Sequence, residues 1–347
     1  MSHAATTTVI HGEALDVIRG YPDDSFDAVI TDPPYGARLT RNETYRGQPH
    51  WDHQGVNFQA EFWAEVRRVT KPGGNLVAFG HPRTQHRQAV AVEDGGWRLV
   101  DQIAWVHGQG TVPRLRWMDT ELVRVGVDPA AAAEHAGWSH SVRPALELIL
   151  LARNLGGTET LVDAIASRGG SGGFNLDAVR IPAGRENRSR VPGRVGATAM
   201  LAIDRPEGAA SVPHPEGRLP GNVVLEHAEY CTDDGCSAMC IVLAVDEQGC
   251  ATRGRGEAAS RFYPILHHPK AARAERPIVD GVSHPTVKPR GVMDWLVALA
   301  CRPGDTVPDM FAGTGTTLEA CRAAGVHSVG IEREANYIPL IHERLKS

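Results

Sequence analysis

Residues 305–324 read DTVPDMFAGTGTTLEACRAA and join a short strand, a glycine turn and the start of a helix. We predict a strand over Asp305–Asp309 and a helix over Gly315–Ala324. Gly313 and Gly315 let the backbone of the turn come close to a ligand, and the helix N-terminus can receive a carboxylate. The turn lacks the third glycine of the dinucleotide-binding fingerprint, so alone it is a weak signal.

An acidic residue, Glu332, follows the next predicted strand, Ser328–Ile331. Its position suits hydrogen bonds from both hydroxyls of a ribose. The glycine turn and this acid together favour a nucleoside cofactor, with or without phosphate. Pro308 lies in the strand before the turn, and a proline in a central strand removes a ladder hydrogen bond. We therefore expect the local geometry of the cofactor loop to be altered.

Short β-branched stretches alternate with amphipathic stretches toward both ends of the chain, which predicts a doubly wound, mostly parallel α/β sheet with helices on both faces. N-terminal strands are predicted at Thr8–His11, Asp27–Thr31, Asn75–Phe79, Val100–Val106 and Leu146–Ala152, and helices at Phe58–Thr70, Arg290–Cys301 and Ala335–Leu345. In the helix over Phe58–Thr70, Phe62, Val66 and Val69 have core spacing. Residues 71–74, KPGG, are expected to end it.

Residues 154–280 differ in composition, with clusters of Gly, Pro, Arg and Ser and little periodicity. We predict that they form an irregular insertion into one α/β domain, whose two halves are residues 1–153 and 281–347. Within the insertion, Arg185–Arg194 contains four arginines and a single acid. This segment could bind the phosphates of a nucleic acid, and a merely solvated loop explains its composition nearly as well.

A second motif, TDPPYG at residues 31–36, directly follows a predicted strand and places Asp32 at the carboxyl edge of the sheet. Its chemistry suits transfer to an exocyclic amine, which is a poor nucleophile because its lone pair is delocalised into the ring. The carboxylate of Asp32 and the carbonyl of Pro33 could accept the two N–H hydrogens of such an amine. Pro34 stiffens the loop, and Tyr35 offers a face for an extruded base. A proline-rich turn capped by an aspartate fits these residues about as well.

A third motif, HPTVKP at residues 284–289, precedes the predicted helix Arg290–Cys301. Thr286 and Lys288 could line the cofactor cleft. A proline-punctuated linker with a solvated lysine is the simpler interpretation of this motif alone.

The overall composition is that of an ordinary globular protein. The net charge of -5 gives no global basic character, so binding to nucleic acid would depend on local patches. No apolar run approaches the roughly 18 residues that a membrane span needs, so no membrane partner is expected. The start, MSHAATTTVIHGE, lacks a basic region followed by an apolar stretch, and we expect a cytoplasmic protein.

The six cysteines are expected to be reduced thiols or metal ligands, because no export signal is visible. Four residues form an H-x3-C-x4-C-x3-C pattern: His227, Cys231, Cys236 and Cys240. Imidazole and thiolate ligands at short spacing suit a structural zinc ion. Buried free thiols are the alternative.

In this order, the motifs resemble the permuted β class of DNA amino-methyltransferases, the DNA N-4/N-6 methylase family. The sequence looks most similar to actinobacterial and phage site-specific adenine methyltransferases. The resemblance includes residues 11–36, HGEALDVIRGYPDDSFDAVITDPPYG, and residues 65–80, EVRRVTKPGGNLVAFG. It also includes HPTVKP, PGDTVPDMFAGTGTT and VGIEREANY in the C-terminal part.

The resemblance implies a seven-stranded, Rossmann-like fold that uses S-adenosylmethionine to methylate a flipped base in double-stranded DNA without a covalent enzyme intermediate. It implies target recognition by residues 154–280. It is compatible with a homodimer, and with either a cognate restriction enzyme or none. The residues implied to hold the target amine are Asp32, Pro33, Pro34 and Tyr35. Those implied to hold the cofactor are Glu13, Thr286, Lys288, Asp309, Phe311, Gly313, Gly315, Thr316 and Glu332.

Aspartate at the first position of the catalytic motif is commoner in adenine enzymes of this family, and serine is commoner in those that methylate the cytosine amine. Asp32 therefore favours adenine, with the cytosine amine as the alternative. Methylation of cytosine carbon 5 would need a cysteine nucleophile, usually after proline, and none of the six cysteines follows one. A nicotinamide oxidoreductase would leave TDPPYG unexplained, and a non-catalytic DNA-binding module is the remaining class.

Overall fold

The computed structural model describes residues 5–36, 55–107, 116–139, 141–142, 145–168, 172–182, 215–228, 231–232, 235–238, 240–253, 259–266 and 276–346. The arginine-rich segment Arg185–Arg194 lies outside these residues.

The described strands are β1 Thr7–His11, β2 Phe26–Thr31, β3 Thr70–Gly80, β4 Arg98–Val106, β5 Leu146–Arg153, β6 Val223–Glu226, β7 Ile265–Leu266, β8 Ile278–Val279, β9 Val282–Ser283, β10 Thr306–Asp309 and β11 His327–Glu332. The described helices are α1 Ala14–Arg19, α2 Ala60–Arg68, α3 Gln85–Asp94, α4 Met118–Arg124, α5 Pro129–Ala132, α6 Leu161–Arg168, α7 Ile241–Arg253, α8 Arg290–Ala300, α9 Thr316–Ala323 and α10 Ile338–Arg344. Each predicted strand is present.

The strands form a mixed sheet layer in which parallel pairs predominate. One hydrogen-bonded sheet has the order β1-β11-β10, and the other has the order β2-β3-β5-β4-β6-β7. Strand β5 runs antiparallel to both β3 and β4, and the other pairs in these two sheets are parallel. The predicted doubly wound α/β fold is confirmed. The strands β1-β11-β10 and β2-β3-β5-β4 correspond to the seven expected.

The two sheets meet between β10 and β2 at a seam that lacks a backbone ladder. Side chains join them instead, because the hydroxyl of Thr31 donates to Oδ1 of Asp309 (2.9 Å) and the amide of Thr306 donates to Oδ2 of Asp27 (2.9 Å). Pro308 pairs with Val329 of β11 and has no N–H to donate to either neighbour. The N-terminal and C-terminal parts of the chain thus meet at a junction held by side chains.

The prediction that KPGG ends the first long helix by itself is wrong. Helix α2 ends at Arg68, and residues 71–74 lie inside β3. A Cβ atom at Gly74 would lie 2.7 Å from the carbonyl oxygen of Asp27. This glycine is therefore explained by the close approach of β3 to β2, which a side chain would block.

Residues 154–280 are more regular than their composition predicts. Strand β6 pairs with β4, and β7 pairs with β6, so this segment extends the main sheet. Strands of four and two residues are too short to show alternation in the sequence. The hairpin β8–β9 crosses the predicted boundary, with Asp280 and Gly281 both at positive φ in its turn.

Helices pack on both faces of the sheet layer. On one face, Met293 and Leu296 of α8 pack against Ile30 and Phe79. On the other, α2 packs through its apolar side, and the predicted core residues Phe62, Val66 and Val69 are fully buried there. None of the helices in the described ranges combines the length and the apolar character needed to cross a membrane.

Candidate functional site

Asp32 belongs to a charged cluster assembled from distant parts of the chain. Nζ of Lys288 lies 2.8 Å from Oδ2 of Asp32 and 3.4 Å from Oε2 of Glu147. The hydroxyl of Tyr35 donates to the same Oε2 of Glu147 at 2.6 Å. Asp32 follows β2, Glu147 lies on β5, and Lys288 precedes α8. We call Asp32, Tyr35, Glu147 and Lys288 the Asp32 cluster.

The loop that carries Asp32 is fixed from several sides. Pro33 and Pro34 are buried, and the hydroxyl of Thr84 donates to the carbonyl of Tyr35 at 2.8 Å. Gly36 has φ +56°, and a Cβ atom there would lie 2.6 Å from the ring of Phe58. A larger residue at position 36 would therefore be strained and would collide with that ring. The loop is thus held in one conformation.

Burial and neighbouring charges together shift the pKa values in the Asp32 cluster in different directions. Burial raises the pKa of Asp32, and the nearby ammonium group of Lys288 offsets this only in part. Burial also acts to raise the pKa of Glu147, but Lys288 and the Tyr35 hydroxyl outweigh it, so that pKa is lowered. For Lys288, burial acts to lower the pKa, and the two carboxylates more than offset it. Asp32 is thus the carboxylate of the pair with the greater tendency to hold a proton.

One oxygen of Asp32 has an open hydrogen-bonding position. Oδ2 is bound to Lys288, whereas Oδ1 is buried and no donor among the described residues forms a hydrogen bond with it. A buried carboxylate oxygen without a donor costs free energy, on the order of 1–3 kcal/mol or more for a charged group. This position can accept an N–H group from a bound ligand.

A second acidic region, which we call the cofactor corner, is formed by Asp309 and Glu332 at the ends of β10 and β11. Oδ1 of Asp309 accepts from the amide of Phe311 (3.1 Å) as well as from Thr31. The two oxygens of Glu332 accept from the amides of Gly313 and Glu334, each at 2.8 Å. Burial raises the pKa of Asp309 to about 6 and that of Glu332 to about 7.

Glycine is required at the two predicted positions of the cofactor loop for different physical reasons. Both have positive φ, +53° at Gly313 and +80° at Gly315. At Gly315 a Cβ atom would lie 2.9 Å from Cγ2 of Ile341, so packing against α10 also requires glycine there. At Gly313 the nearest atom would be Nε2 of His284, at an ordinary 3.5 Å. Gly313 is thus required by its backbone conformation and leaves space above the loop.

The other residues expected at the cofactor lie around the same edge. Thr316 is the buried first residue of α9, and the ring of Phe311 packs 5.7 Å from that of Phe62. Oε1 of Glu13, just before α1, lies 3.4 Å from Nε of Arg333, the residue after Glu332.

The HPTVKP motif divides between the two regions. Thr286 is exposed, and its backbone hydrogen-bonds with the ring of His284. Lys288, which we expected in the cofactor cleft, is buried with Asp32 and Glu147. Its ammonium group also lies 5.0 Å from the ring centroids of Tyr35 and Phe79.

Three residues that shape the site were not predicted from the sequence. Glu147 has a sequence signal, because it is the one acidic residue of a strand, LELILLAR, that is otherwise apolar up to Arg153. Thr31 belongs to the TDPPYG motif, and its bond to Asp309 joins the two acidic regions. His284 packs edge-on against Tyr337, with ring centroids 4.6 Å apart, and burial lowers its pKa to about 4. The ring of His284, which lies beside the glycine loop, is therefore uncharged at neutral pH.

A family model for N6- and N4-methyltransferases, described as DNA methylase, matches residues 26–343. The chain belongs to this DNA methylase family. Among known proteins, it is 39% identical over 64 residues to the type II methyltransferase M.HinfI of Haemophilus influenzae, an alignment that covers 18% of each protein. It is 35% identical over 80 residues to the uncharacterized protein MJ1233 of Methanocaldococcus jannaschii, with 23% of each covered. These alignments span about a fifth of the relatives' length.

The methylase fold also matches the solved structure of PvuII DNA methyltransferase, described as cytosine-N4-specific. The two share 16% sequence identity, the match covers 98% of this chain and 86% of that one, and the TM-score is 0.50. At this identity the similarity concerns the fold. The family membership agrees with the order of the motifs along the chain.

S-adenosylmethionine is the cofactor of this family, and the cofactor corner fits it. Each oxygen of Glu332 accepts one amide hydrogen, and a carboxylate oxygen can accept a second hydrogen bond. The two hydroxyls of a ribose could supply these bonds. Asp309 lies at the same edge of the sheet. The loop amides lie there too, at the N-terminus of α9, where the carboxylate of a ligand is favoured.

Proposed function

We propose that this methylase transfers the methyl group of S-adenosylmethionine to the exocyclic amine of an adenine in double-stranded DNA. The observation that carries the proposal is the buried Oδ1 of Asp32, which has no donor among the described residues. An amine N–H is the group that this oxygen can accept. The hydrogen bond from Thr31 to Asp309 connects Asp32 to the cofactor corner through adjacent residues.

The Asp32 cluster would prepare the amine for attack. Oδ1 of Asp32 accepts one N–H hydrogen and the carbonyl of Pro33 accepts the other, which localises the nitrogen lone pair. Lys288 fixes the carboxylate through Oδ2, and Glu147 with Tyr35 fixes Lys288 in turn. When bound, S-adenosylmethionine supplies an electrophilic methyl group.

Asp32 would also take up the proton that the amine must lose. The nitrogen becomes positively charged as it is methylated, and the hydrogen already bound to Oδ1 can pass to the carboxylate. Burial raises the pKa of Asp32, which favours this transfer. Glu147, whose pKa is lowered, remains charged and keeps Lys288 protonated. No residue of the chain forms a covalent bond in this scheme.

Adenine is favoured by the family resemblance of the motif, in which Asp32 occupies the first position. Both base amines present two hydrogens to Asp32 and Pro33, so the chemistry of the cluster is the same for cytosine. Discrimination lies in the pocket that receives the flipped base. Target recognition is proposed for residues 154–280, of which β6 lies beside β4 and β7 beside β6 at the edge of the sheet.

The test is to express the protein in a host that lacks DNA methylation and to sequence the DNA by a method that distinguishes N6-methyladenine from N4-methylcytosine. We expect N6-methyladenine at one short sequence, and none from cells that express Asp32→Ala at an equal level. N4-methylcytosine as the only product would overturn the base assignment and keep the mechanism. Unmodified DNA, with S-adenosylmethionine bound by the purified protein, would overturn DNA as the substrate.

A further inference from the structure

Four potential metal ligands come together far from the Asp32 cluster in sequence. They are His227, Cys231, Cys236 and Cys240, and their ligand atoms all lie within 4.8 Å of one another. Nδ1 of His227 lies 3.4 Å from Sγ of Cys236 and 3.4 Å from Sγ of Cys240. The three cysteines are free thiols. We call these four residues the thiol cluster.

Two distances in the thiol cluster match those around a tetrahedral zinc ion. With Zn–S about 2.3 Å and Zn–N about 2.0–2.1 Å, tetrahedral angles place nitrogen and sulfur ligands roughly 3.5 Å apart. The sulfur atoms of Cys236 and Cys240 already lie at this distance from the imidazole nitrogen of His227. Three sulfurs and one nitrogen are a common donor set for structural zinc, and all four positions of the tetrahedron are supplied by protein.

The surrounding backbone supports the sulfurs. The amide of Ser237 donates to Sγ of Cys231 at 3.4 Å, and such a bond stabilises a thiolate. The amide of Cys231 bonds to the carbonyl of Ala228 (3.0 Å), and that of Cys240 to the carbonyl of Ser237 (2.9 Å). The cysteines thus come from separate short stretches of the described chain, and their sulfur atoms approach one point.

The local core explains why this part of the fold would need a metal ion. Among the described residues, the hydrophobic cluster here has four buried members, Leu225, Ala228, Cys240 and Val242, and the other apolar side chains packed against them are only partly buried. A core of this size contributes little stability, and small units commonly rely on a metal or a disulfide. The thiol cluster lies in the connection between β6 and α7, and ligation would tie the end of β6 to the start of α7.

We infer that the thiol cluster binds one zinc ion and that this ion fixes the β6–α7 connection at the edge of the main sheet. The ion has a structural role, because four protein ligands leave no position for water or substrate. Strand β6 pairs directly with β4, so the same ion holds this edge of the sheet in register. The inference does not depend on the proposed methyl transfer.

Metal content of the purified full-length protein tests the inference directly. We expect about one zinc per chain by mass spectrometry of the protein from zinc-supplemented cells, and the charge-transfer and d–d absorption of a tetrahedral thiolate site after cobalt exchange. In Cys236→Ser and His227→Ala, metal affinity should fall by at least about tenfold. Cys301→Ala, which removes a buried thiol outside the cluster, should keep the zinc content.

A conservative variant separates metal binding from folding. His227→Cys creates a four-thiolate set and should retain tetrahedral zinc, whereas unchanged metal affinity in His227→Ala would show that the imidazole is not a ligand. If Cys236→Ser fails to fold, the cobalt spectrum of the unmodified protein still decides. Protein without zinc, without the cobalt spectrum and with three freely reactive thiols, or with a disulfide among them, would overturn the inference.

Discussion

The Asp32 cluster contains a pair of partly buried carboxylates and the cofactor corner a pair of buried ones, and the two regions neutralise them differently. In the Asp32 cluster, one ammonium group lies between Asp32 and Glu147. In the cofactor corner, backbone amides and the Thr31 hydroxyl bind Asp309 and Glu332. Amides carry only partial charge, so burial dominates there and raises the two pKa values to about 6 and about 7.

This difference indicates a division of labour. A mobile proton and a fixed ammonium group suit chemistry on a neutral amine, which gains charge during the reaction. Backbone amides and carboxylates suit the recognition of hydroxyl groups, whose charge does not change. Substitutions in the Asp32 cluster should therefore reduce the rate, and substitutions in the cofactor corner should reduce binding. The effects of such substitutions test whether rate and cofactor binding are separated in this way.

The largest effect is expected for Asp32→Ala. Methyl transfer to DNA should fall by about 10²- to 10⁴-fold, because the acceptor for the amine hydrogen is lost. Affinity for S-adenosylmethionine, measured by calorimetry, should stay within about threefold, since Asp32 does not contact the cofactor in our proposal. Asp32→Asn should be nearly as inactive. A variant that methylates DNA at a normal rate would contradict the role of Asp32.

A smaller loss of rate, about 10- to 100-fold, is expected for Lys288→Met. Without the ammonium group the pKa of Asp32 rises further, so the acid limb of the pH–rate profile should move to higher pH. The profile of kcat/KM against pH checks this. Glu147→Gln is the matched variant, because it weakens the support of Lys288 and keeps the Lys288–Asp32 pair. A loss of cofactor affinity without a change in the pH–rate profile would indicate that Lys288 acts in the cofactor cleft and not on Asp32.

For Glu332→Gln we expect cofactor affinity to fall by about tenfold, a typical result when a hydrogen bond to a charged group is lost. The rate at saturating cofactor should change much less. Calorimetry and single-turnover methylation separate the two quantities. Glu343→Gln is the control, because this acid of α10 pairs with Lys346 at the surface. Equal losses of rate and affinity in Glu332→Gln would contradict the division of labour.

The smallest effect is the pH dependence of cofactor binding. The pKa of Glu332 is raised to about 7, so the carboxylate that we propose accepts the ribose hydroxyls is charged above this pH and protonated below it. Cofactor affinity should therefore weaken as the pH falls through 7, by at most about tenfold per unit. Titrations between pH 6 and 8 (about one unit on either side) check this. In Glu332→Gln the dependence should flatten, and an unchanged slope would assign it to another group.

The sequence predicted the fold through features that are local in the chain. The glycine turn after β10 and the TDPPYG motif after β2 both mark the ends of strands, and both lie at the predicted edge. The position of Lys288 could not be predicted, because its partners Asp32 and Glu147 lie in distant parts of the chain. Glu147 stands out in the sequence as the acidic residue of a largely apolar strand. Its role depends on the position of β5 between β3 and β4, which the sequence alone does not show.

Sequence patterns also failed where elements are short. Strands β6 and β7 join the main sheet, yet they hold four and two residues among Gly- and Pro-rich stretches. The pairing of β6 with β4, and of β7 with β6, is set by the edge of the main sheet, and such tertiary effects override local preference. The HxxxCxxxxCxxxC spacing was visible, whereas the convergence of its four ligand atoms required the turns on either side.

The pairing of β1 with β11 bears on how the protein is made. Thr7 and Ser328 are neighbours in this pair and are 321 positions apart in the chain. On the ribosome, β1 emerges early and has no partner until β11 has been synthesised, so closing the cofactor corner is among the last steps of folding. A nascent or prematurely terminated chain can hold Asp32, Glu147 and Lys288 and still lack Glu332. Translation errors that shorten the protein should therefore yield chains without a complete cofactor corner.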